Sequence, residues 1–172
     1  SGPNNDGVRL ARGRYIAFLN HDDLWFPDHL SRSLAALEEM NADLVFGIGV
    51  SIAGKDGLPV LIGADGAQAY YNPTLAVPAT LWVMRRALAD IVGPWWPAGT
   101  LRAQPSADWL HRAWRRGAAL CASHHYAAII IPSGNRPGSY STRQSSEQAL
   151  YAVRLRQPEL PKAMLDEAEL RA

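Results

Sequence analysis

Cysteine is almost missing from this chain: Cys121 is the one thiol among 172 residues. That excludes an internal disulfide framework and any zinc site built on cysteine pairs. It also fits a reducing compartment. An excess of charge of one sign is lacking too. Seventeen Lys plus Arg stand against 16 Asp plus Glu, for a formal net charge of +1. Such a balance argues against a general nucleic-acid binder and leaves only local basic patches open. No apolar run reaches the ~18–20 residues that span a bilayer. The longest, residues 126–132, reads as a buried strand. The opening residues do not read as a signal peptide. Repeats and low-complexity tracts are absent as well.

What remains is 48% hydrophobic and 19% charged, a composition that suits one globular domain with its own core. The chain opens on Ser1-Gly2-Pro3 without a methionine and stops in a helix-like stretch. The expectation is therefore a piece of a longer protein.

The pattern predicts elements in a definite order. Asn5-Asp6-Gly7 caps a short helix that closes at Gly13. Residues 15–19 form a strand buried on both faces. Pro27 and Asp28 open a helix whose apolar face is Leu30, Leu34, Leu37 and Met40. Residues 44–52 are the next strand. Residues 54–78, rich in Gly, Pro, Asp and Asn, make a long excursion holding one short strand at 59–62. Apolar character resumes at Trp82-Val83-Met84, and a short helix over 86–92 ends at Gly93-Pro94. Ser106 caps a helix running to Gly117, with Leu110, Ala113 and Trp114 facing inward. Residues 118–122 and 126–132 read as two strands, and 133–141 as a polar loop. Two helices, 147–156 and 162–172, close the chain. This alternation favours an α/β layered sheet. The division is a main α/β portion over 1–141 and a helical extension over 142–172.

Chemistry concentrates after the first strand. Asn20, His21, Asp22 and Asp23 lie where open α/β sheets bind ligands, outside a strand's carboxyl end. Adjacent carboxylates repel, and a hard divalent cation compensates them through oxygen ligands. Helix capping explains the same acids, because they precede a helix whose dipole favours negative charge. Asp108 has two readings as well. It suits a general base facing a cleft, and it suits an i,i+4 partner of Arg112 in a first helical turn. Trp95 and Trp96, set between Pro94 and Pro97, offer a wall for a sugar ring or the cover of a core edge. His124-His125 read as paired surface histidines, and Arg115-Arg116 as a solvated helix face.

These residues resemble a known family. Asn5-Asp6-Gly7-Val8 is followed by Ala11-Arg12-Gly13-Arg14-Tyr15-Ile16-Ala17-Phe18-Leu19-Asn20-His21-Asp22-Asp23-Leu24-Trp25, then by Pro27-Asp28 and Leu30. This run resembles the family 2 glycosyltransferase pattern N-x-G, then A-x-G-x-Y-I-x-F-L-D-x-D-D, then W-x-P. Val92-Gly93-Pro94-Trp95 is similar to the family's V-G-x-F/W turn. Ser106-Ala107-Asp108-Trp109, with Arg112, Ala113 and Gly117, resembles its E-D-W segment. Arg136-Pro137-Gly138-Ser139 resembles its late H-x-x-S loop.

The resemblance implies a partial GT-A (Rossmann-like) mixed sheet flanked by helices. It implies an inverting transfer from a nucleotide-sugar donor to an acceptor hydroxyl, dependent on Mn2+ or Mg2+. Asp22 would be the metal ligand. Asn20, His21, Asp23 and Arg136 would meet the donor. Asp108 would take the acceptor's proton, with Trp95, Trp96 and Trp109 on the acceptor side. Three departures stand out: Asn20 for the usual first Asp, Ala107 for the acid before Asp108, and Arg136 for a His. Arginine does not ligate a metal, but its fork suits phosphate oxygens. The family's opening βαβ portion is not represented in these residues. By family analogy the setting is bacterial cell-envelope polysaccharide synthesis, in the cytoplasm or peripherally at the inner membrane face. Two rivals carry no such motif: a non-catalytic saccharide-binding or structural fragment, and a metal phosphohydrolase using His21 and Asp22.

Overall fold

The computed structural model describes residues 1–52, 59–64, 68–132, 146–156 and 166. In chain order the elements are α1 (Gly2–Leu10), β1 (Tyr15–Ala17), β2 (Leu24–Trp25), α2 (His29–Glu39), β3 (Leu44–Ser51), β4 (Val60–Gly63), β5 (Trp82–Arg85), α3 (Arg86–Val92), α4 (Pro105–Arg115), β6 (Leu120–Ile130) and α5 (Ser146–Arg154). Single 3-10 turns occupy Ala79–Leu81 and Ala98–Thr100.

Six strands form one mixed sheet in the order β1-β5-β3-β6-β2, with β4 added along β3. Among the described residues β3 and β6 are the parallel pair, and the other pairs are antiparallel. All eight residues of β3 are buried, which is why that segment reads as a continuous apolar run rather than an alternation. One face of the sheet carries the main core, including Leu44, Phe46, Trp82, Met84, Leu88 and Trp109. The other face packs Val45, Val83 and Cys121 against Leu37 of α2. Each fully buried residue of this kind contributes about 1.5–3 kcal/mol relative to exposure.

The α/β expectation holds, and several local expectations are corrected. The two strands expected at 118–122 and 126–132 are one, β6. His124 takes a left-handed φ of 45°, and the pairing with β3 shifts register between Phe46 and Gly49. The irregularity is absorbed opposite Gly47, where a Cβ would sit 2.6 Å from the His125 carbonyl oxygen. The β1 strand stops at Ala17, and Leu19 is exposed. The short β2 strand, which pairs Leu24 with Ile129, has too few residues to show a period.

Helix faces differ as well. The buried stripe of α2 is His29, Ser33 and Leu37, whereas Leu30 and Met40 are exposed. A periodicity counted on apolar residues misses it, because two of its three members are polar. In α4 the buried residues are Trp109, Leu110 and Ala113, and Trp114 is 45% exposed beside His111. The α4 helix starts at Pro105, with Gln104 as N-cap, because proline is preorganised for a first helical position. The α1 helix begins at Gly2 and buries no residue.

From the extension expected over 142–172, α5 seats Tyr151 and Leu155 against Phe26, Val50, Ile129 and Ile131. The second expected helix, 162–172, lies outside the described residues, as does the loop carrying Arg136. Among the described residues no helix is long and apolar enough to cross a membrane.

Candidate functional site

The acidic segment leaves β1 and is fastened from below. Asp23 is 2% exposed. It accepts the Asn20 Nδ2 amide at 2.7 Å and the Ile131 backbone N–H at 3.1 Å. Burial pushes the Asp23 carboxyl up, helped by the neighbouring Asp22 charge and opposed by those two bonds. A carboxylate so enclosed ties the segment to the end of β6. Asp22 is different. Its side chain keeps 19% of its surface, and His21 Nδ1 lies 3.7 Å away. Trp25, at the end of the segment, donates its indole N–H to the Thr80 carbonyl at 2.9 Å.

Asn20 reaches a hollow of about 450 Å³. Its other walls are Asn4 of α1, residues 74–79, and Gln104, Ser106 and Ala107 at the start of α4. The segment after β1 and the first turn of α4 thus open on one space, although they lie more than 80 residues apart in sequence. Nothing in the sequence pattern marks Asn4 or residues 74–79 as its walls. Gln104 and Ser106 had one signal, Pro105 as a helix opener next to a family-like acid.

Aromatic packing holds that arrangement. Trp95 stacks on Trp109 at 4.6 Å between centroids, 10° from parallel, and Trp109 stacks on Trp82 at 5.7 Å. Phe18 meets Trp82 and Trp95 edge-on. The Trp82 indole donates to the carbonyl of Val77, a wall residue, at 3.1 Å. Trp109 donates to the Gly93 carbonyl at 2.9 Å. Asn5 reads the backbone of Trp95 in both directions, accepting its N–H at 2.8 Å and donating to its carbonyl at 3.0 Å. Trp95 and Trp109 are 2% and 0% exposed. Both pack in the main core. Trp96 is half exposed, with the Arg112 guanidinium 4.8 Å above its ring.

Asp108 does not line the hollow. Its Oδ2 accepts Arg112 Nε at 2.9 Å, and the two side chains keep 19% and 13% of their surface.

A separate polar cluster lies between α2 and β6. His29 Nδ1 and His125 Nε2 are 3.1 Å apart, with Ser33 Oγ 3.4 Å from each. Ser123 Oγ stands 3.0 Å from His125 Nδ1. Burial, with the His125 charge second, pushes His29 down to about 4. Burial and Arg32 lower His125. His124 is exposed while His125 is buried, so the pair is not a surface pair.

Among the described residues no group of three His, Cys, Asp or Glu is placed to hold a metal alone. A cation carried on a diphosphate asks less of the protein, since Mg2+ is commonly held by one or two carboxylates plus substrate oxygens. Asp22 fits that demand; Asp23, already occupied, does not.

Comparison with known proteins bears on this site. A family model described as Glycosyl transferase family 2 matches residues 2–91, just over half of the 172. TuaG of Bacillus subtilis (strain 168), named for a teichuronic acid biosynthesis glycosyltransferase, is 38% identical over 56 residues, 33% of this chain and 22% of TuaG. Two crystal structures of S. aureus TarS share the fold. The complex with UDP has a TM-score of 0.57 at 16% identity, covering 90% of this chain and 43% of that one. The complex with UDP-GlcNAc has a TM-score of 0.56 at 13% identity, covering 78% and 39%. The chain spans less than half the length of each of these relatives. Its mixed sheet, its motif-bearing segment behind β1 and the match over residues 2–91 place the chain in glycosyl transferase family 2.

Proposed function

We propose that the protein transfers a sugar from a nucleotide-sugar donor to an acceptor hydroxyl, with inversion and with the help of Mn2+ or Mg2+. One observation carries this reading: Asn20, two residues before Asp22, and the first turn of α4 line a single hollow of about 450 Å³. Family membership and the UDP and UDP-GlcNAc complexes of the TarS neighbours support it. The names of TuaG and its teichuronic acid pathway favour a cell-envelope polymer as the product.

Asp22 would offer a carboxylate oxygen to the cation on the donor diphosphate. When bound, that cation supplies Lewis-acid stabilisation of the departing diphosphate. Asn20 presents its amide to the hollow in a fixed orientation, because its Nδ2 is held by Asp23. Gln104 and Ser106 supply hydrogen-bonding groups to hydroxyls on the α4 side. Residues 75–79 give the hollow an apolar surface suited to a sugar's less polar face.

The test uses the full-length protein with a panel of nucleotide sugars and saccharide acceptors. Transfer is expected with Mn2+ or Mg2+, lost on chelation and reduced at least ~100-fold by Asp22→Ala, the scale of one electrostatic group. NMR of the product is expected to show an inverted anomeric centre. Turnover that survives both chelator and Asp22→Ala would remove the metal role, and a retained anomer would remove inversion. Donor binding without transfer would favour a saccharide-binding fragment.

A further inference from the structure

We propose that the exposed face of α4 beyond the hollow is a saccharide subsite, where His111 and Trp114 carry an inner ring of a chain-like acceptor whose end ring sits in the hollow. This deepens the sugar-transfer reading above and rests on it for the occupant. Its geometry rests on the fold alone.

The start of α4 walls the hollow through Gln104, Ser106 and Ala107. His111 and Trp114 follow Ala107 by four and seven residues. At about 100° and 1.5 Å per residue, both lie within about 40° of the direction of Ala107, roughly 6 and 10 Å further along the helix axis. The stripe that begins in the hollow therefore continues onto them. Both are exposed, Trp114 at 45%, and their rings stand 5.7 Å apart at 44°. The core side of α4 is already taken by Trp109, Leu110 and Ala113. A single exposed indole is ordinary; an indole and an imidazole side by side, in line with the hollow, form a platform. Residues 70–79 border the same stripe. Residues 74–79 share the hollow with the start of α4, and the Tyr71 N–H donates to the Leu120 carbonyl at 2.9 Å, just past the end of that helix. The segment thus runs back beside α4, and its exposed Tyr70 and Thr74 offer hydroxyls. Aromatic faces suit the less polar side of a sugar ring, and hydroxyls suit its rim.

The test uses the full-length protein and three probes: cellotetraose, chitotetraose and a galacturonic acid tetrasaccharide, each beside its own single sugar. The first readout does not depend on turnover. In 15N-indole spectra the Trp114 signal is assigned by its loss in Trp114→Tyr. At least one tetrasaccharide is expected to shift that signal, and its single sugar is not. The second readout is transfer. Trp114→Ala is expected to raise KM for a four-sugar acceptor roughly 10-fold and KM for a one-sugar acceptor less than ~2-fold, a loss in KM rather than kcat. Trp114→Tyr keeps a ring and is expected to recover most of that loss. A Trp114 signal that no tetrasaccharide moves, or a KM loss equal for long and short acceptors, overturns the subsite. Absence of transfer in the unaltered protein, with a Trp114 signal that responds, would instead count against the proposed function and leave the subsite standing.

Discussion

His29 and His125 meet nose to nose across the α2–β6 interface, their facing ring nitrogens 3.1 Å apart in a fully buried site. Such a contact needs one nitrogen to donate and the other to accept, so at least the accepting ring is neutral, and burial lowers the pKa of both. Folded His29 titrates near 4, against an unfolded value of 6.5. Between those values the unfolded chain binds the extra proton, so stability falls as pH drops from 6.5 to 4 and is complete above 6.5. The loss is on the order of 3 kcal/mol. Urea midpoints at pH 7.5, 6 and 5 should decline in step, and His29→Gln should flatten that decline. A wild-type midpoint that stays level across the range would show that the pair is not neutral in the fold.

Replacing Trp109 should be among the costliest single changes. It is wholly buried between Trp95 and Trp82 and bonded to Gly93. Trp109→Ala should lose about 3–5 kcal/mol, read as the shift in denaturation midpoint. Trp96→Ala, which removes an exposed ring beneath Arg112, should cost no more than about 1 kcal/mol.

Two glycines should respond to alanine for different reasons. At Gly47 the new Cβ would meet the His125 carbonyl oxygen at 2.6 Å and Ala127 Cβ at 2.8 Å. The strand pair would have to move, at about 1–3 kcal/mol or more. At Gly93 space is open but φ is 82°, so strain of roughly 1–3 kcal/mol is the whole effect. Hydrogen exchange should separate them: Gly47→Ala should loosen β3 and β6 together, and Gly93→Ala only the α3–α4 corner.

Restoring the family's aspartate at position 20 should do harm at neutral pH. The new carboxylate would replace an amide that donates to buried Asp23 at 2.7 Å. Two carboxylates that close share one proton, which raises the folded pKa of the pair. The sign is opposite to the histidine case: stability is present below the unfolded carboxylate range and is lost as pH rises through the pair's raised value. Asn20→Asp should therefore narrow its deficit against the unaltered protein on acidification from pH 7 to 5. A constant deficit would mean that Asp23 is not facing residue 20.

Strong local patterns made much of this fold legible. The buried run of β3, the helix over residues 86–92 and the motif from Gly13 to Trp25 stand where their residues indicate. What escaped was decided by partners distant in sequence. His29 and Ser33 form an inward stripe only because His125 waits on β6. Trp109 resembles an acceptor platform in a motif, yet Trp82 and Trp95 enclose it. Asp108 had two local readings, and its i,i+4 pair with Arg112 is made while that arginine also reaches the carbonyls of Val92 and Pro94, which no local pattern shows. The wall made by residues 74–79 has no motif, since its role comes from where the excursion happens to return.

The acidic loop is completed by residues made long after it. Asp23 waits for the amide of Ile131, 108 positions later, and the His21 carbonyl waits for Gln148, 127 positions later. On a ribosome that delivers the chain in order, these two bonds form only after Ile131 and Gln148 have emerged, and closures over such spans are entropically slow. A product terminated before Ile131 would thus carry Asn20 and Asp22 without the bond that ties Asp23 to the end of β6.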